Sequence, residues 1–317
     1  MFTAFLRKLP YPVASLMLGL AALGNLVAPY GMHFRYAAGA TAAIIFLLVL
    51  AKALHFPASL SEALSHVVVC SVLPSFSMGT AILAGYLRPW FPAAAELLWL
   101  AALALHLALL AIFTRRYVFD FKIKLVFPSW FIVYVGLAAF SVTGPAFGYT
   151  ALGQALFWVA GASYFLLLPV VLYRLIVARE VPPPALPTLA IFAAPSSLAL
   201  AGYFSSFKDR NLTLVYVLAA CTVLSFVFVL SRLPSLLRLP FFPSYSAFTF
   251  PFVITAIALK GTSAFLNTAN RGVPLLARSV PFLELWAIVA VIYVLVRYLH
   301  FLAFTGPSPS PQTQASK

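Results

Sequence analysis

Acidic side chains are scarce in this chain: six Asp and Glu stand among 317 residues, against 20 Lys and Arg. Charge of either sign makes up only 8% of the sequence, where a soluble domain carries roughly a quarter. A chain so poor in charge cannot cover a water-facing surface, and no polar stretch is long enough to fold alone. Cysteine is nearly missing as well. Cys70 and Cys221 both lie in apolar runs as small buried hydrophobes, which excludes a disulfide framework and a cysteine metal site.

Other absences remove whole function classes. There is no GxxxxGK[ST] phosphate loop, so the chain does not hydrolyse ATP. His55 and His66 flank a short polar segment without a metal-ligand context, and no His, Asp, Glu or Cys pair falls at helical spacing on a candidate inner helix. Neither an enzyme nor a bound cofactor or metal is expected. The net charge of +14 does not mark a nucleic-acid binder, because the basic residues are scattered at helix ends and loops rather than gathered on one face.

What is present is apolar: 63% of residues are hydrophobic. Crossing roughly 30 Å of hydrocarbon takes about 20 such residues in a helix. Ten runs qualify, near 11–30, 36–55, 66–87, 93–113, 126–144, 150–177, 186–206, 212–231, 244–263 and 281–303. The chain thus reads as an all-α polytopic membrane protein, with residues 1–10 before the ten-helix domain of 11–303 and a polar, Pro/Ser-rich tail over 304–317 that is expected to be disordered. The basic pair Arg7-Lys8 before the first run, with no small-residue cleavage site, marks that run as a retained signal anchor. Thirteen of the 20 basic residues fall on the side that holds both termini and seven on the other, which predicts cytoplasmic termini. Lys260, late in the ninth span, then lies near the outer mouth and is expected to snorkel to the interface.

The spans alternate in character. The second, fourth, eighth and tenth are uninterrupted, whereas the third, seventh and ninth carry Pro74, Pro195 and Pro251 well inside; Pro12 and Pro128 open the first and fifth. These prolines recur about every 60 residues, as in five tandem hairpins, with Pro169 in the sixth span as the exception. An interior proline frees backbone polar groups that must face protein or a water-filled cavity. Hydroxyls cluster at the breaks: Ser75, Ser77 and Thr80; Ser196 and Ser197; Ser246, Thr249 and Thr255. Broken, hydroxyl-bearing helices belong inside, and Pro74, Ser75, Pro195, Ser196, Thr249 and Thr255 are the candidate pore-lining residues. No ionisable side chain sits midway along these helices. Glu62 and His66 lie at the start of the third span, Glu96 and Glu284 near the starts of even spans, and Asp120, Glu180 and Asp209 in loops. His106 falls on the fourth span, where a packed histidine is expected. A path without acids in a basic protein does not hold cations and tolerates anions.

Several segments carry a resemblance. LPYPVASLMLGLAAL, VLPSFSM, FPSWF, AAPSSLALAGY and AFTFPFVITAIALKG look like the tellurite-resistance/dicarboxylate transporter family, which includes bacterial TehA proteins and the slow-type anion channels of plant guard cells. The similarity runs over roughly residues 8–303 in the same ten-span order. It implies five hairpins in quasi-five-fold arrangement, with odd helices around a central pore, even helices outside and three protomers in a homotrimer. It also implies a phenylalanine plug in the ninth helix. In Ala247-Phe248-Thr249-Phe250-Pro251 that plug falls on Phe250, with Pro251 supplying the kink. Phe248, about 200° round a helix, points elsewhere. Relatives often carry a second proline where this chain has Met17 and Val133, so the first and fifth helices are expected to be straighter.

Two transport readings follow. The preferred one is a gated anion channel for small monovalent anions such as nitrate and chloride, in a bacterial inner membrane. The alternative is a secondary transporter moving oxyanions or C4-dicarboxylates (tellurite, sulfite, malate) with protons, which the scarcity of inner carboxylates disfavours. An accessory subunit without flux of its own is disfavoured by the short loops.

Overall fold

The computed structural model describes residues 2–304. The tail expected from residue 304 onward therefore lies, apart from Phe304, outside the described residues. The described chain is all helical, with no strand. Ten spans are long and apolar enough to cross a membrane: Val13–Tyr30, Met32–His55, Val67–Leu87, Pro92–Val118, Trp130–Phe147, Thr150–Ala178, Pro183–Ser206, Leu212–Leu237, Pro243–Thr268 and Pro274–Phe304. The sequence reading stops the eighth span short and starts the tenth late. Pro234 and Pro281 both lie inside continuous helices.

Helix ends use local chemistry that the sequence displays. Pro92 occupies the first turn of its helix, where a missing N–H costs nothing. Asn211 caps the eighth span, its Oδ1 accepting from Leu214 N at 3.1 Å. The uncharged turn between the fifth and sixth spans closes at Gly148, whose φ of +85° suits glycine alone without strain.

The alternation predicted from proline holds as burial. In the odd spans 61–89% of the most apolar window is buried, and in the even spans 22–33%. Large side chains on the even spans, such as Leu166, Leu224 and Leu299, are exposed, as expected where lipid rather than protein is the neighbour. Each odd span packs on the next, and the ninth returns to the first, so the five close into a ring.

The breaks differ from the expectation in two places. Pro195 and Pro251 are not buried in the middle of α-helices. The starting halves of the seventh and ninth spans, Pro183–Ala193 and Pro243–Phe248, are 3₁₀ helices, and α-helix begins only at Pro195 and Phe250. Each proline thus stands in the first turn of an α-helix, where its missing donor costs little. The fifth span, expected to be straighter, is also broken: α-helical Trp130–Tyr134 and Ala138–Thr143 are joined by a 3₁₀ turn at Val135–Leu137. Gly136, a poor helix former, sits in this turn. His106 of the fourth span places Nε2 3.1 Å from the Val133 carbonyl, an outside partner for the backbone at the break. Only the first span keeps an unbroken α-helix, Val13–Val27, through the ring.

Candidate pore

Hydroxyls stitch the ring at every seam. Ser15 donates to Ser75 Oγ at 3.0 Å between the first and third spans, and Ser71 to Ser129 Oγ at 2.6 Å between the third and fifth. Ser141 and Ser206 meet at 3.1 Å between the fifth and seventh, and Ser197 and Thr255 at 3.0 Å between the seventh and ninth. Thr249 closes the circle, donating to the Ser15 carbonyl at 3.0 Å. Gly19 permits this last approach, since a Cβ there would lie 2.6 Å from Thr249 Oγ1. In a low-dielectric bundle a hydroxyl needs a protein partner, and the adjacent helix supplies one.

Inside the ring is a cavity of about 30 Å³, room for about one or two waters. All five odd spans line it and no even span does. The first contributes Ser15 and Leu18, the third Ser75 and Met78, the fifth Phe131, Ile132, Val135 and Gly136. Ile191, Ala194, Pro195 and Leu198 come from the seventh, and Ser246, Ala247, Phe250 and Pro251 from the ninth. None of these side chains is ionisable. The three hydroxyls are also committed: Ser75 donates to Val72 O at 2.7 Å, Ser246 to Pro243 O at 3.1 Å, and Ser15 to Ser75.

Of the residues singled out in the sequence, Ser75, Pro195, Phe250 and Pro251 border the cavity. Pro74, Ser196, Thr249 and Thr255 are buried beside it but do not line it; the two threonines are spent on the seams. The apolar lining was missed: Leu18, Met78, Phe131, Val135, Ile191 and Leu198. Its signal was the i, i+3, i+4, i+7 spacing of Ile191, Ala194, Pro195 and Leu198 on one face, which a search for hydroxyls passes over.

The three phenylalanines of the ninth span diverge. Phe250 faces the cavity and is 6% exposed. Phe248 packs edge-on against Tyr245, and Phe252 against Phe226 and Trp286 of the outer helices. Behind the ring, His106 is fully buried, with Nδ1 2.9 Å from Ser77 Oγ. It is a packed histidine joining the third, fourth and fifth spans. Replacing it by alanine strands the Val133 carbonyl and opens a void, and is expected to cost about 2–4 kcal/mol. Thermal unfolding in detergent checks this; an unchanged midpoint contradicts it.

Lys260 does not snorkel free. Its Nζ lies 2.6 Å from Glu284 Oε1, and Tyr30 donates to Glu284 Oε2 at 2.5 Å. The lysine side chain is 37% exposed and the glutamate 5%. The carboxylate in the tenth span gives the ammonium a nearer partner than water, so this charge is neutralised and ties the ninth span to the tenth and first. Glu96 repeats part of the motif: Tyr149 donates to its Oε1 at 2.6 Å, and that hydrogen bond holds the Tyr149 phenol above its ordinary pKa.

Four α-helices begin around the cavity, at Pro74, Ala138, Pro195 and Phe250, none with a side-chain cap, and all run towards the same end of the bundle. Helix starts carry the positive end of the backbone dipole. Fold and site together define a polytopic membrane protein whose five odd spans ring a small, largely apolar cavity. Residues 9–305 match the SLAC1 family model, described as voltage-dependent anion channel, and the chain belongs to that family. Compared with curated proteins, the chain matches none.

Proposed function

We propose that the chain is a gated channel for small monovalent anions, nitrate and chloride among them, with the central cavity as its path and Phe250 as its gate. The observation that carries this reading is the lining: five inner helices meet at an apolar constriction, four of them begin α-helix there, and no acid faces it. Pro251 fixes the start of the α-helix beside the ring, where a small change at the Thr249 junction swings Phe250. An apolar constriction excludes water and ions until its side chains withdraw. The Lys260–Glu284 pair holds the ninth span near the outer mouth.

In this reading both termini are cytoplasmic, the protein sits in a bacterial inner membrane, and the five hairpins take a quasi-five-fold arrangement within a homotrimer of separate pores. The basic excess on the side of the termini and the closed ring of odd spans support it. A proton-coupled carrier of oxyanions or dicarboxylates draws no support from a lining without carboxylate or histidine.

Helix dipoles and weak polar contacts repay little of an anion's hydration energy, so dehydration cost should rank the permeants. In planar bilayers, the Phe250→Ala protein is expected to pass nitrate more readily than chloride, read from bi-ionic reversal potentials. Chloride passing more readily than nitrate overturns that mechanism. Uptake of a dicarboxylate only under a pH gradient, without current, would put the carrier in its place.

A further inference from the structure

A second hollow lies further along the face of the ninth span that carries Phe250. Ile254, Ile257, Gly261, Ala264 and Thr268 follow Phe250 at steps of three and four residues, so they continue its stripe. Along that stripe Ile257 and Gly261 are half-buried, and Ala264 and Thr268 are exposed. Here Phe204, Arg210, Gly261, Ala264, Phe265 and Thr268 line an open hollow of about 300 Å³. The opposite flank of the helix is taken up elsewhere: Thr255 meets the seventh span, Phe252 the outer helices, and Lys260 the tenth. By helical spacing, Gly261, Ala264 and Thr268 thus put the hollow on the side of the ninth span that carries Phe250.

Arg210 is the one charged residue lining it. Its Nη2 donates to the Phe204 carbonyl at 2.7 Å, and its guanidinium carbon stands 5.6 and 5.9 Å from the Phe204 and Phe265 ring centres. Its Nε is buried without a hydrogen-bond partner, and it forms no ion pair among the described residues. The loop that carries it is pinned, Asn211 N donating to Tyr203 Oη at 2.7 Å and Asn211 Oδ1 capping the eighth span. Lys208 and Asp209 precede it and do not line the hollow. A guanidinium held in place, always charged, partly desolvated and with no counter-ion is a built anion receptor. Lys260 is no competitor, being spent on Glu284.

We propose that Arg210 is an anion-docking site at the end of the pore where the odd spans finish, taking a small monovalent anion before it reaches the Phe250 constriction. The site rests on the channel reading and deepens it: Arg210 raises the local anion concentration at one mouth, while the constriction sets the rate of passage.

The test uses anion current through Phe250→Ala protein in planar bilayers, with chloride varied on the Arg210 side. Adding Arg210→Gln is expected to raise the half-saturating chloride concentration about threefold to tenfold, the loss of one partly exposed charge-assisted contact, with the limiting current kept. Thr268→Glu, which puts a carboxylate into the same hollow and leaves the Arg210 loop intact, is expected to act in the same direction. Lys208→Gln removes the same charge from the same loop and should leave half-saturation unchanged. The site is overturned if Arg210→Gln and Thr268→Glu have no effect, or if Lys208→Gln matches Arg210→Gln, as a diffuse field would require. Phe250→Ala protein that passes no anion current overturns the channel reading and this site with it. A conducting one whose half-saturation ignores Arg210 overturns the site alone.

Discussion

Phe250→Ala is expected to raise anion current at least about tenfold over the unsubstituted protein, because an apolar constriction conducts only once water can fill it. The cavity in the closed ring is about 30 Å³ and its walls are apolar. Removing a ring that borders it enlarges the proposed path without touching a seam, since the Thr249 and Thr255 hydrogen bonds do not involve the Phe250 side chain. Phe252→Ala is the matched control. It deletes the same atoms two residues away but from the outer-helix side, against Phe226 and Trp286. Its expected result is lower thermal stability, by about 3–5 kcal/mol, with current near that of the unsubstituted protein. Bilayer recordings and melting curves on the two variants separate gate from packing. Current opened equally by both would demote Phe250 to packing.

Lys260→Met carries the second large effect. It leaves Glu284, 4% exposed, with only the Tyr30 hydroxyl, and an unpaired buried carboxylate is costly. Because Lys260 is partly exposed, part of the attraction is already screened, and the expected loss is about 2–3 kcal/mol. Glu284→Gln should cost less, about 1 kcal/mol, since the freed ammonium can turn to water. The double substitution Lys260→Met with Glu284→Leu should recover most of the loss, as replacing both partners of a buried pair by apolar groups often does. Thermal unfolding midpoints for the three variants decide it. Glu284→Gln falling further than Lys260→Met would show that the lysine, not the glutamate, bears the burial cost.

The ten spans were legible because the membrane imposes a length and a composition that no neighbour can override. The third span, read as 66–87 and found as Val67–Leu87, shows how little tertiary context matters there. The odd–even division was legible for a related reason: proline and hydroxyls are tolerable only where protein surrounds them. What each hydroxyl does was not legible. Thr249 and Thr255 look like lining residues on local grounds, yet both reach carbonyls or hydroxyls of neighbouring helices. The fifth-span break had only a weak local signal, Gly136 in its 3₁₀ turn, since many helices tolerate a glycine. Val133 carries no proline, and its carbonyl is taken by His106 from another helix. The 3₁₀ halves before Pro195 and Phe250 are likewise beyond a proline count, which says where an α-helix can begin but not what precedes it. Phe250 itself was indicated by resemblance, since 30 phenylalanines leave composition silent on any one of them.

In the proposed channel, anions pass through the cavity ringed by the odd spans. Leu198 lines that cavity from the seventh span, the neighbour of the ninth. The most direct measurement is anion current through Phe250→Ala protein with and without the further change Leu198→Phe, on samples with matching gel-filtration profiles. A ring returned to the same space from another helix should bring current back towards the closed level of the unsubstituted protein. Current as large as in Phe250→Ala alone would mean that the anions take another route.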